Sequence, residues 1–188
     1  MVPDYFVHER AWCESGNIGV GTRIWAFSHV MKGAVIGSGC NIGEHCFIEN
    51  GTLIGDDVTV KNGISVWEGV SVEDNVFLGP HMVFTNDIKP RSKAHDYKLA
   101  RTLVKKGATV GANATLVGGI TIGRYAMIGA GSVVTKDVPD HALVYGNPAS
   151  QHGWVCVCCE KLQDTGGQAS CACGKKFRIA GNNCEIIN

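Results

Sequence analysis

Only five of the 188 residues are proline, and aromatic side chains make up just 7% of the chain. No uninterrupted apolar stretch approaches the roughly 20 residues that a membrane span requires. The N-terminal segment MVPDYFVHERAW lacks an apolar core of signal-peptide length, so a cytoplasmic protein with no membrane partner is expected. Net charge is missing too, with seventeen Lys and Arg balancing seventeen Asp and Glu. That balance argues against nucleic acid or an anionic membrane as a partner of the whole surface. In a reducing compartment the nine cysteines are not expected to form a disulfide framework, which leaves core packing, metal ligation or reactive thiols. What is plentiful is glycine, 25 residues, which with so little proline implies many tight turns.

The turns recur with a period of six. Ile18, Ile24, Val30, Ile36, Ile42, Ile48, Ile54, Val60, Val66, Val72, Leu78 and Phe84 follow one another at that step without a miss. The step breaks and resumes in a new phase at Val104, Val110, Leu116, Ile122, Ile128 and Val134. Four residues after many of these positions stands a small residue, among them Thr22, Ser28, Ala34, Cys40, Cys46, Ala108, Ala114 and Ala126. A period of six fits neither a helix at 3.6 nor one alternating strand at 2; it fits short strands separated by turns. Three hexads close a triangular coil in which each aliphatic residue stacks on its counterpart eighteen positions away, and stability comes from neighbouring coils. Residues 18 to 87 give nearly four coils and 104 to 139 two more. The intervening NDIKPRSKAHDYKLARTL is polar and has lost the period, and an excursion of that length from a regular solenoid is expected to carry function.

These hexads resemble the hexapeptide-repeat acyltransferase superfamily, which implies an all-β fold, a left-handed parallel β-helix, assembled as a homotrimer. Within it, IWAFSHV (24–30), VKNGISVWEGV (60–70), VFLGPHMVFTNDIKPRS (76–92), TLVKKGATVGANATL (102–116) and IGAGSVVTKDVPDHALVYGNPA (128–149) resemble one subgroup. Its members are the UDP-2-acetamido-3-amino-2,3-dideoxyglucuronate N-acetyltransferases of bacterial surface-polysaccharide synthesis. The resemblance covers roughly residues 7 to 154. With the break in the period and the loss of hexads after Trp154, this gives a β-helix domain over 1–154 with an extruded loop at 86–103, followed by a Cys-rich tail at 155–188. The resemblance also implies acetyl-CoA as cosubstrate and a nucleotide sugar as acceptor.

Transfer to an amine needs a thioester carbonyl held beside the nucleophile, with little demand for a strong base. By resemblance, Asn86 at the end of FTN orients the amine, and the coenzyme A sulfur takes up the proton. A loop Asn also serves to close a turn. Many relatives place a histidine on this loop, where this chain has Lys89. His81 and His29 are the alternative bases, and His95 lies within the loop. Acceptor contacts are expected from His29, Asn62, Phe84, Thr85 and Arg91, the last because a guanidinium fork matches a carboxylate or phosphate. For coenzyme A, the pantetheine arm is expected along Ala112, Asn113, Ala130 and Gly131 and near Pro148, with its phosphates met by Lys105, Lys106 and Lys136. The family's NPA turn usually precedes Arg, whereas Ser150 stands here.

After Trp154 the sequence CVCCEKLQDTGGQASCACGKKF brings cysteines in two clusters, the logic of a tetrahedral structural zinc site. Cys156, Cys158, Cys171 and Cys173 are the expected ligands, with Cys159 able to replace Cys158 and Cys184 as a spare. Three other functions compete with the uronate enzyme. One is acetylation of a dTDP-linked 3-amino sugar. A second is a γ-class carbonic anhydrase, for which His45 and His81 have the spacing but Asn86 stands at the third ligand. The last is a non-catalytic scaffold.

Overall fold

The computed structural model describes residues 4–93 and 96–187. Each hexad becomes a short strand whose apolar residue turns inward while its neighbour faces out, and a corner of about four residues leads to the next. Parallel pairing between coils then builds three faces. The first stacks eight parallel strands, from Phe6–Val7 to Ala142–Gly146. The second runs from Trp12–Cys13 through His29–Val30 and Ser65–Val66 to Val83–Phe84 and Val133–Val134, and the third from Val35–Ile36 to Thr121–Ile122. The eighteen-residue register is direct in Ile24↔Ile42, Val30↔Ile48 and Ile36↔Ile54. Ile24, Ile42, Val60, Leu78, Val110 and Ile128 form a continuous buried column. Among the described residues there is no helix, and hence none long and apolar enough to cross a membrane.

The coil begins before the first hexad. Val7 pairs with Ile24 and Cys13 with Val30, seventeen residues apart, while Ile18 meets Ile36 at eighteen. The corner between Cys13 and Ile18 is one residue short, so stepping back by six from Ile18 lands on Trp12 and Phe6, which face solvent. The signal was one position away.

The small residues at the corners do more than fit. Thr22 Oγ1 donates to the Gly37 carbonyl at 2.7 Å and accepts the Cys40 N–H at 3.0 Å; Ser28 Oγ does the same with Gly43 and Cys46 at 2.6 and 2.9 Å. Cys40 and Cys46 continue the pattern, their thiols donating to the Gly55 and Lys61 carbonyls. Each corner thus satisfies the buried backbone of the next, and no buried side-chain polar atom among the described residues lacks a partner. Burial pushes the Cys40 and Cys46 thiols up, so they are core residues with little thiolate character. Glycine is required where coils nearly touch: a Cβ on Gly111 would lie 2.5 Å from the Ala130 nitrogen.

Across the break, Val70–Val72 pairs directly with Thr102–Val104. The coil resumes as if the loop were not there. The loop neck is tied by Ala100 N–H donating to the Asn86 carbonyl at 2.9 Å and Thr102 N–H to the Gly69 carbonyl at 3.1 Å.

At the other end, Ala142–Gly146 turns back through the cis Asn147–Pro148 peptide into the antiparallel strand Ala149–Val155, followed by Lys161–Leu162. That strand crosses the boundary expected at 154. A separate sheet of Gln168–Ser170, Lys176–Ala180 and Asn183–Ile187 completes the tail. It joins the core through Phe177, whose ring meets the buried His141 edge-on at 5.4 Å.

Burial holds the His141 imidazole below its ordinary pKa, opposed by its Nδ1–H bond to the Val155 carbonyl and by the Asp140 charge. The unfolded chain therefore binds the extra proton first. His141 contributes stability that is fully present above the unfolded pKa near 6.5 and is lost as pH falls towards the lower folded value. Melting temperatures across that window are expected to fall more steeply for the wild type than for His141→Gln. The difference in slope is bounded by one proton, about 1.4 kcal/mol per pH unit. Parallel curves would remove His141 from the acid response.

Candidate functional site

Asn86 lies just beyond Val83–Phe84, on the edge between the second and third faces, where the loop leaves the coil. Its Nδ2 donates to the Glu68 carbonyl of the preceding coil at 3.3 Å, while its own carbonyl takes the Ala100 N–H. Its Oδ1 makes no hydrogen bond among the described residues. Thr85, half-buried beside it, uses Oγ1 to accept the Gly118 N–H at 2.9 Å. A Cβ on Gly118 would lie 2.6 Å from the Thr85 carbonyl, so the neck is closed tightly from the far side.

Phe84 is corrected by the structure. Its side chain is 1% exposed and belongs to the core, leaving no surface for an acceptor. Only its carbonyl faces outward, accepting the Trp67 indole N–H at 2.9 Å.

The edge at Asn86 is acidic, a feature missed in the sequence. Tyr97 of the loop has its phenol pKa raised by desolvation and then by the charges of Glu68, Asp87 and Glu49. Glu49 also accepts the Glu68 N–H at 2.7 Å. Counting by coils finds this patch: Glu49 and Glu68 are nineteen residues apart and occupy one corner in successive turns. Asp87, Ile88, Lys89, Asp96, Tyr97 and Lys98 line a cavity of about 390 Å³ in the loop.

The other expected acceptor residues scatter. Asn62 Oδ1 accepts the Glu44 N–H at 3.2 Å, as Asp56 and Asp74 do for Ser38 and Asp56 at another edge, so its oxygen is committed to a corner. His29 stacks on Trp12 at 4.2 Å and binds Glu14 through Nε2 at 2.6 Å, clamping the first coil. Arg91 is exposed on the loop beside Lys89, Pro90 and Asp96. His81 sits over Gly63, where a Cβ would lie 2.3 Å from its Nδ1, on the edge between the first and second faces and so one corner away from Asn86. His95 lies outside the described residues.

The residues expected for coenzyme A fall on three edges of one prism. Ala112, Asn113, Ala130 and Gly131 share the edge of His81, where Gly131 N–H donates to the Ala112 carbonyl. Lys105 and Lys106 lie on the edge between the third and first faces, and Lys106 pairs with Asp74 at 3.6 Å. Lys136 lines a crevice with Ser150 and Gln151, and Pro148 lies exposed in the turn that follows the last coil. A single chain does not gather this set. The four tail cysteines, in contrast, come together, all four sulfurs lying within 4.8 Å of one another.

Stacked hexads, small-residue corners and a single loop extruded beside a polar neck define a hexapeptide-repeat acyltransferase, and the chain belongs to that family as an acetyl-CoA-dependent N-acetyltransferase. The family model described as bacterial transferase hexapeptide (six repeats) matches residues 16–50 and 101–136. The dTDP-3-amino-3,6-dideoxy-alpha-D-galactopyranose 3-N-acetyltransferase of Aneurinibacillus thermoaerophilus is 58% identical over 175 residues, covering 93% of this chain and 91% of the relative. Among solved structures, PerB from Caulobacter crescentus, in complex with CoA and GDP-perosamine, is 22% identical with a TM-score of 0.48, over 80% of this chain and 55% of its own. AntD, an N-acyltransferase from Bacillus cereus in complex with dTDP and coenzyme A, is 17% identical with a TM-score of 0.49, over 80% and 83%.

Proposed function

We propose that the acceptor is the 3-amino group of a dTDP-linked 3-amino-3,6-dideoxyhexose, acetylated to supply a surface-polysaccharide precursor in the cytoplasm. The observation that carries the acetyl-transfer site is Asn86. Its Nδ2 is held by the Glu68 carbonyl, which leaves Oδ1 to accept an N–H of the amine. Glu49 and Glu68, at the corner beside Asn86, and the adjacent Asp87 favour the ammonium form of the amine locally, while the diphosphate keeps the substrate as a whole anionic. After loss of one proton to solvent, the amine nitrogen attacks the thioester carbonyl. The C–N bond forms, the C–S bond breaks, and the second amine proton passes to the departing sulfur, giving CoA thiol. The deoxyhexose is supported by the 58% identity, across most of both chains, to an enzyme named for such a substrate.

The coenzyme residues lie on different edges, so the cleft is proposed to form between copies, with one chain giving Asn86 and its neighbour the GANAT edge. Exposed Val35, Leu53, Phe77 and Val83 offer apolar side chains for such packing. Sedimentation equilibrium is expected to give three times the 20.0 kDa chain mass, and a monomer would remove the shared cleft.

A second reading keeps the UDP-linked 3-amino uronate, favoured by Arg91 and Lys89 on the loop, which suit a carboxylate. Incubating the enzyme and acetyl-CoA with a panel of nucleotide amino sugars separates the two. Chromatographic measurement of CoA is preferable to a thiol reagent, because Cys158, Cys159 and Cys173 are exposed. Preference for the dTDP-3-amino-3,6-dideoxyhexose is expected. Preference for the uronate would replace it, and exclusive use of a 4-amino sugar or a free amino acid would overturn both.

A further inference from the structure

Nothing in the proposed acetyl transfer uses the tail. Yet the tail holds the tightest cluster of soft donors among the described residues. Cys156 Sγ and Cys173 Sγ are 3.4 Å apart, and so are Cys158 Sγ and Cys171 Sγ, with all four sulfurs within 4.8 Å. Thiolates at about 2.3 Å from a tetrahedral zinc ion stand roughly 3.8 Å from one another, so the four sulfurs already approximate the edges of such a site.

The backbone around them is built for the purpose. At Cys156 the N–H donates to the Glu160 carbonyl at 2.9 Å while Cys159 N–H donates to the Cys156 carbonyl at 2.9 Å. At Cys171 the same pair recurs: Cys171 N–H to the Lys175 carbonyl and Gly174 N–H to the Cys171 carbonyl, both at 2.9 Å. The fourth residue of each turn has positive φ, 73° at Cys159 and 90° at Gly174. The two C-x-C segments are therefore one knuckle used twice. Cys159 occupies the position that glycine takes in its twin, and it holds a conformation that non-glycine residues seldom adopt. Its role is to close the turn, so its sulfur is not one of the four. Cys184 is buried in the second sheet and lies outside the cluster.

The cluster also joins two sheets that share no strand pairing and otherwise meet through Phe177 and His141. Cys156 and Cys158 follow the strand Ala149–Val155, whose Val155 N–H donates to the His141 carbonyl of the last coil at 2.7 Å. Cys171 and Cys173 sit in the hairpin between Gln168–Ser170 and Lys176–Ala180. That hairpin buries few large side chains of its own, chiefly Phe177 and Ile179, and small units with so little core are commonly held by a metal or disulfides.

We propose that Cys156, Cys158, Cys171 and Cys173 bind one structural zinc ion as four thiolates, and that this ion clamps the C-terminal sheet onto the last coil. Binding displaces four thiol protons and leaves the site with a charge of −2. Four protein ligands leave no open position for substrate, so the ion is structural.

The test uses the full chain. Elemental analysis of the purified protein is expected to give one zinc per chain, and titration of the thiols with an organomercurial should release that zinc. Cobalt exchanged for zinc should give the intense visible absorption of a tetrahedral thiolate site. Cys173→Ser should lose the metal and speed hydrogen exchange across residues 161–187, while Cys159→Ser and Cys184→Ser should retain full metal content. Should Cys173→Ser fail to fold, the mercurial release from wild type still decides. Metal-free protein with two disulfides would overturn the proposal. Iron as the sole bound metal would overturn the zinc assignment, and equal metal loss from Cys159→Ser and Cys173→Ser would overturn the ligand set.

Discussion

Turnover of the Asn86→Ala enzyme is expected to fall by about 10²- to 10³-fold, the range found when one transition-state hydrogen-bonding group is removed. One end of the side-chain amide is committed and the other is open. Nδ2 is used by the Glu68 carbonyl, and the backbone carbonyl by Ala100, so truncation deletes Oδ1 and a single neck bond. Losing that one partly exposed bond costs about 1 kcal/mol of stability at most. The effect should appear chiefly in kcat, because an interaction that strengthens as the amine attacks contributes little to ground-state binding. A purely structural Asn86 predicts the opposite: near wild-type turnover with a lowered melting temperature. Steady-state kinetics and a thermal melt on the same preparation discriminate between them.

Phe84→Ala is expected to destabilise the protein by about 3–5 kcal/mol, as when a buried aromatic is cut back in a packed core. Phe84 is the last hexad residue before the break, so the cavity would open directly beneath the loop mouth. Phe84→Leu keeps most of the volume and should cost less than about 1.5 kcal/mol. It should also leave the acceptor KM unchanged, since no part of the ring reaches the surface. Denaturant melts and acceptor KM values for both variants check this. A raised KM at unchanged stability would return Phe84 to the acceptor site.

Phe84 also marks where the sequence could and could not be read. Its place in the unbroken series Val66, Val72, Leu78, Phe84 already turns it inward, yet likeness to the FTN stretch of related enzymes suggested a substrate contact. Period was the better guide because the pleat fixes side-chain direction regardless of motif. The same arithmetic carried to eighteen would have separated Lys105 and Lys106 from Asn113 and Gly131, since residues on one edge recur at that spacing. It also brings Glu49 to within one position of Glu68, at the corner they share in successive coils. The first coil escaped for a narrower reason: its one-residue-short corner shifted Val7 and Cys13 out of phase with Ile18. The point where the loop leaves the coil is legible because a segment expelled from a regular solenoid breaks its period. The commitment of Asn62 to the Glu44 N–H, and of His29 to Trp12 and Glu14, depends on contacts between coils that no local motif encodes. In the tail, the imperfect C-x-C spacing concealed that both cysteine pairs share one turn.

The strand pairing around the loop has a consequence for how the chain folds. Nearly every rung is zipped to one eighteen residues away, so ordering can spread from coil to neighbouring coil with short, nearly equal closures. Joining Val70 to Thr102 spans thirty-two residues instead. Because closure entropy grows only with the logarithm of length, that longer step costs about 0.5 kcal/mol more than an ordinary rung. The loop can therefore lengthen or change its sequence at almost no penalty to assembly of the coil, provided that the neck residues still meet.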